Sequence, residues 1–175
     1  LGDVYKRQQK DWIIQTNGVV QTLYASVRAF TLPGDNVLLL TPVYYPFYRA
    51  VNLNGRKVVE SPIRLVEGRY EVDFDDFEEK AKQCKMFLLC SPHNPMGRVW
   101  SEEELCRMGD ICLKHNVLVV SDEIHFDIIM PGHKHVSYPT LGEKYANNCV
   151  MCCAASKTFS LAGLCVANAI IPNPE

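Results

Sequence analysis

The sequence predicts an α/β fold, a mostly parallel sheet with helices on both faces. Three observations predict it. Short apolar runs at residues 37–40, 86–90, 117–120 and 150–153 have the length and continuity of strands buried on both sides. Segments with helical apolar spacing lie between most of them, bounded by cap and turn signals. The order strand, helix, strand recurs without an internal repeat, which is the pattern of right-handed parallel crossovers.

In chain order, residues 11–17 read as a short strand running into a turn at Asn17-Gly18. From Gly18-Val19-Val20 to Phe30 the spacing of Val20, Leu23, Val27 and Phe30 predicts a helix. Its first amides form an anion site as readily as an ordinary capped helix end. Leu32-Pro33-Gly34-Asp35 breaks it. The strand at 37–40 ends in Thr41-Pro42-Val43-Tyr44-Tyr45-Pro46-Phe47, where two prolines pin aromatic side chains that could stack on a flat ligand or simply pack. A helix is expected over 47–53 and strands at 57–60 and 69–72. Asp73 is the expected N-cap of a helix over 74–84, with acidic residues in its first turn. After the strand at 86–90, prolines on both sides of Asn94 restrict the backbone and hold its amide, for a ligand oxygen or for a turn. Ser101 and Glu104 form a capping box opening a helix to about His115, with Leu105, Met108, Ile111 and Cys112 on one face. The strand at 117–121 leads into Asp122-Glu123-Ile124-His125.

Two strand ends carry chemistry. The run at 150–153 leads into Ala154-Ala155-Ser156-Lys157-Thr158-Phe159, and the run at 117–120 leads to Asp122. A lysine delivered into a dry, narrow space has a lowered pKa, and its neutral amine can form a Schiff base with a carbonyl. A lone lysine in such a loop is more often solvated. A carboxylate and a lysine at the ends of two buried strands instead form one site at the carboxyl edge of a parallel sheet.

The 175 residues are 47% hydrophobic and 22% charged, with a formal net charge of -2, enough for one substantial core. Near-neutral charge gives no ground for a nucleic-acid or anionic-membrane partner. No apolar run is long enough to span a bilayer and no secretory leader is legible. The 8 cysteines are therefore expected as reduced thiols in a cytoplasmic protein. Cys149 and Cys152 have C-x-x-C spacing, but no second pair completes a zinc cage, so no metal site is expected. On a strand, Cys149 and Cys153 share one face and Cys152 takes the other. His133-Lys134-His135 follows Pro131-Gly132 and reads as a solvated turn rather than a metal site. Residues 1–8 lack periodicity and no methionine precedes them; they are expected to be a non-native leader, resembling a translated adaptor, ahead of a partial domain at 9–175.

The stretches T-P-V-Y-Y-P-F, S-P-H-N-P-M-G-R-V-W, S-D-E-I-H and S-K-T-F-S-L-A-G-L, each after a buried-type strand, resemble the large domain of fold-type I pyridoxal-phosphate enzymes, the aspartate aminotransferase superfamily. Within it they are most similar to the MalY/PatB group of cystathionine β-lyases. The resemblance runs from about Ile13 to Pro174 and implies an incomplete large domain, with the N-terminal arm and C-terminal small domain absent.

It implies pyridoxal 5'-phosphate as cofactor, with Lys157 as Schiff-base lysine and Asp122 paired with the ring nitrogen. Asn94 would bind the phenolic oxygen and Tyr44 would stack on the ring. Gly18, Val19 and Val20 would cradle the phosphate through their amides, with Ser156 adding a hydroxyl. His125 stands where many aminotransferases carry a tyrosine. The pattern is broken at Cys165, where an arginine eight residues after the lysine usually meets the phosphate, and at Ala154, where a serine is common. The implied activity is β-elimination from cystathionine or a cysteine S-conjugate, a small amino-acid substrate, in a homodimer. Aminotransfer is the alternative, and a non-catalytic regulatory binder on this fold is a third reading. The chain by itself is expected to be inactive, because such sites form at a dimer interface.

Overall fold

The computed structural model describes residues 9–173, so the expected leader at 1–8 lies outside the described residues. A seven-stranded sheet is formed by β1 (Ile13–Thr16), β2 (Asn36–Thr41), β3 (Lys57–Pro62), β6 (Met86–Cys90), β7 (Leu118–Asp122), β8 (Cys149–Cys153) and β9 (Ala167–Ile170). A separate hairpin pairs β4 (Arg64–Val66) with β5 (Arg69–Glu71). The sheet order is β1-β9-β8-β7-β6-β2-β3, with β8, β7, β6, β2 and β3 mutually parallel. Only β9 runs against them; β1, antiparallel to β9, points the same way as the other five. The mostly parallel sheet is thus the one expected.

Alternate residues of the central strands feed two cores, one on each side, as the period-2 geometry of a strand demands. On one side Leu38, Leu40, Phe87, Leu89, Val119, Cys149, Met151 and Cys153 meet α3 (Phe74–Ala81), α4 (Glu102–Lys114) and Tyr145 of α5 (Glu143–Ala146). On the other, Val37, Leu39, Met86, Leu88, Val120, Val150 and Cys152 meet α1 (Val19–Phe30) and α2 (Pro46–Asn52). Cys149 and Cys153 therefore do share a face, with Cys152 opposite, each a buried free thiol.

Local sequence sets the helix ends. The Asp73 carboxylate accepts the Asp75 and Asp76 amides at the start of α3, and Ser101 and Glu104 form the complete capping box of α4. In α4 the expected face of Leu105, Met108, Ile111 and Cys112 is buried. In α1 the buried positions are Val19, Thr22, Leu23, Ser26 and Val27. Phe30 is instead exposed, so the buried stripe is rotated toward smaller residues that let the helix lie close on the sheet. Residues 10–12 form a 3-10 turn rather than the beginning of β1. The β4 strand, Arg64-Leu65-Val66, is exposed at all three positions and too short to leave a periodic signature in the sequence.

His135 departs from the solvated turn. His133 and Lys134 are exposed, but the His135 side chain is 6% exposed and its Nε2 donates to Glu123 Oε2 at 2.9 Å. A fully buried carboxylate needs donors, and the chain returns to supply them.

Candidate active site

The carboxyl ends of β2, β6, β7 and β8, together with the start of α1, surround a cleft of about 340 Å³. Gly18, Val19, Val20, Tyr44, Asn94, Asp122, His125, Ser156 and Lys157 all line it, as do Cys90, Ala162, Cys165 and Val166. Residues as far apart in the chain as Gly18 and Val166 meet here because parallel strands all point their carboxyl ends the same way. A larger hollow, about 840 Å³, lies alongside and shares Asn94 and His125 with the cleft. The buried Asp122 carboxylate and the Lys157 amine are in the smaller one.

Asp122 is the buried charge, 5% exposed at the end of β7. Its register partners are Cys90 on β6 and Cys152 on β8, so soft thiol neighbours replace water on both sides. Burial is the main cause pushing its carboxyl up to about 7; the Ile124 amide opposes this, Glu123 adds to it, and Lys157 opposes it. Asp122 Oδ1 accepts the Ile124 amide at 3.1 Å.

Lys157 does not occupy the dry, narrow space expected of it. The strand stops at Cys153, and Lys157 lies in an exposed turn at 155–160 closed by Phe159 N to Ala155 O at 3.0 Å and Leu161 N to Ser156 O at 2.9 Å. Small residues bring the backbone into the cleft, but they leave one side of the lysine open. Thr158 Oγ1 donates to Asp127 Oδ2 at 2.7 Å, joining this turn to the loop after β7. His125, on that loop, is half-buried, and its imidazole is held below the usual range by burial first and the Lys157 charge second.

Asn94 is held from both sides. Its carbonyl accepts the Tyr44 amide at 2.9 Å and its own amide donates to Cys90 Sγ at 3.4 Å. His93 is buried and its Nε2 donates to Pro42 O at 2.9 Å, tying the β2 and β6 loops together. The peptide bonds before Pro42, Pro92 and Pro95 are cis. Tyr44 is 38% exposed, and its ring makes an edge contact with Tyr45. Neither His93 nor Cys90 is singled out by the sequence: Cys90 ends an apolar run and His93 sits in the proline-flanked turn.

At the opposite wall Gly18 has φ +120° and ψ 151°, a conformation that disfavours a side chain. No side chain caps α1, which leaves the first-turn donors of the helix at the cleft. The Gly18 carbonyl accepts both the amide and the hydroxyl of Thr22, each at 3.1 Å, and Thr16 Oγ1 lies 2.7 Å from Thr22 Oγ1. Cys165, at φ +48°, is exposed on the cleft rim where the resemblance leads one to expect arginine. Among the described residues no cluster of His, Cys, Asp or Glu could hold a metal ion.

Known proteins share this arrangement of strands and sequence. The chain is 48% identical over 158 residues to cystathionine β-lyase PatB of Bacillus subtilis, covering 89% of this chain and 41% of that protein. It is 31% identical over 163 residues to protein MalY of Escherichia coli, covering 92% and 41%. The structure superposes on cystalysin from Treponema denticola, which contains a pyridoxal 5'-phosphate cofactor, with a TM-score of 0.93 and 45% identity over 98% of this chain and 45% of that one. The chain thus spans less than half the length of these relatives. The family model for aminotransferase class I and II matches residues 2–175, and the chain belongs to that family.

Proposed function

We propose that this chain is the large-domain part of a pyridoxal-phosphate-dependent carbon–sulfur β-lyase. Its substrate is cystathionine or a related cysteine S-conjugate, cleaved to a thiol, pyruvate and ammonia. The observation that carries the reading is the convergence of Asp122, Lys157, Asn94 and Tyr44 on one cleft beside the uncapped start of α1. The 48% identity to a cystathionine β-lyase favours elimination over aminotransfer.

The donor set fits the cofactor. A buried carboxylate at the cleft floor suits the N–H of a cationic ring nitrogen, which would hold Asp122 ionised against its burial. Tyr44 offers an aromatic face, Asn94 and His125 offer polar groups for the phenolic oxygen, and the Gly18–Val20 amides with Ser156 suit a phosphate. When bound, pyridoxal phosphate supplies an electron-withdrawing ring that acidifies the substrate's α-proton. Lys157 is the amine that would hold the cofactor covalently and, when free, would move that proton. Asp122 would hold charge at the ring nitrogen, while the rigid Asn94 turn would fix orientation.

The full-length protein is proposed to be a cytoplasmic homodimer, with the N-terminal arm and small domain outside this chain. Phe159, Leu161, Leu164 and Val166, all exposed next to the lysine turn, support a covering surface there. Incubating the full-length protein with cystathionine, and separately with an amino acid and a 2-oxo acid, tests the reaction. Pyruvate and ammonia are expected from the first; amino-group transfer without elimination would reject the lyase reading in favour of an aminotransferase.

A further inference from the structure

Glu123 is the only described acidic residue with no exposure at all, and it has no part in the cofactor set. It follows Asp122 directly, so the two carboxylates leave the end of β7 toward opposite sides of the sheet. Oε1 of Glu123 accepts the Ser121 hydroxyl and the Tyr138 amide, each at 2.9 Å. Oε2 accepts His135 Nε2 at 2.9 Å. His135 Nδ1 is buried without a partner, so the neutral Nε2–H tautomer is the one whose hydrogen is satisfied. One side chain thereby grips both ends of the excursion between β7 and the 3-10 turn at Tyr138–Leu141.

That excursion has no helix or strand of its own across 124–136. It nonetheless carries His125, on the cleft, and Asp127, which accepts the Thr158 hydroxyl beside Lys157. Within it the Phe126 amide donates to Glu123 O at 3.0 Å and the Ile128 amide to His125 O at 2.9 Å. A loop this long with so few internal bonds takes its shape from its root.

We propose that Glu123 is a positioning residue of the candidate site, closing the root of the 124–137 excursion through His135 and Tyr138 and so holding His125 and the Asp127–Thr158 contact against the lysine turn. The placement of His125 and Lys157 as site residues rests on the reading above; the clasp itself does not.

The test is amide hydrogen exchange on the full-length, cofactor-free protein. In Glu123→Gln and His135→Ala, amides of Phe126, Ile128 and Tyr138 should exchange about tenfold faster or more, while those of β6 and α4 keep the parent rates. His135→Gln retains an N–H donor near the Nε2 position and should bring the exchange back toward the parent. Unchanged exchange at 126–138 in both variants overturns the clasp. So does equal acceleration across β6 and α4, because Glu123 would then be a general core contact. A failure of His135→Gln to restore protection overturns the hydrogen-bond account. These readouts are independent of the reaction catalysed, so rejection of the lyase leaves them standing, and their failure leaves the lyase reading intact.

Discussion

Asp122 and Cys90 are direct register partners across β6 and β7, with the carboxylate and the thiol both buried at the floor of the cleft. The carboxylate disfavours charge on the thiol. The Cys90 thiol is pushed up by burial first and by Asp122 second, so the neutral thiol is the stable form. It serves as an apolar wall and as the sulfur that receives the Asn94 amide.

The raised Asp122 pKa sets a pH dependence in the cofactor-free protein. Below pH 3.8 both folded and unfolded states hold the proton, so this group contributes no difference. Between 3.8 and about 7 the unfolded chain ionises while the folded one keeps its proton, and stability falls as pH rises. The loss is on the order of 4 kcal/mol if the whole shift is expressed. Urea unfolding of full-length, cofactor-free protein across this window should show a downward slope that Asp122→Asn removes. An identical slope in that variant would assign the titration elsewhere. In the loaded enzyme, Asp122→Asn should lower kcat more than it raises KM, since the lost charge acts on proton abstraction.

Lys157→Ala should abolish turnover and leave the fold intact. The side chain is exposed and the turn around it is held by backbone bonds of Phe159 and Leu161. The change in unfolding free energy should stay within about 0.5 kcal/mol. Turnover at the parent rate would remove Lys157 from both its proposed roles.

Gly109→Ala should destabilise by about 1–3 kcal/mol through overpacking. A Cβ at this position would stand 2.6 Å from Tyr145 Cδ1 and 2.7 Å from the Tyr138 hydroxyl oxygen, on two rings that pack edge to face. Thermal unfolding gives the check; an unchanged midpoint would mean that the tyrosines swing aside freely.

Cys149 and Cys152 should behave as packing residues. They face opposite cores, and burial raises both thiols well above their ordinary value. Cys149→Ala and Cys152→Ala should cost small, separable amounts of stability, each without loss of bound metal by elemental analysis. A zinc ion that vanishes in the double variant would show that β8 is misread, and with it the approach to Lys157.

The sheet was legible in the sequence because strands buried on both faces must be apolar at every position. The runs ending at Leu40, Cys90, Val120 and Cys153 announce themselves that way, and Asp122 was recognisable as the charge that ends one. The caps at Asp73 and Ser101 were equally plain, being contacts over three residues or fewer. The tertiary structure alone decided what depends on distant partners. Lys157 is exposed because β8 stops short of it, and nothing in Ala154-Ala155-Ser156 records how far the turn leaves the sheet. Glu123 and His135 lie twelve residues apart, with an irregular loop between them, and no periodicity links them. Their pairing comes from the need of a fully buried carboxylate for donors, a requirement that appears only once the helices have closed over that side of the sheet.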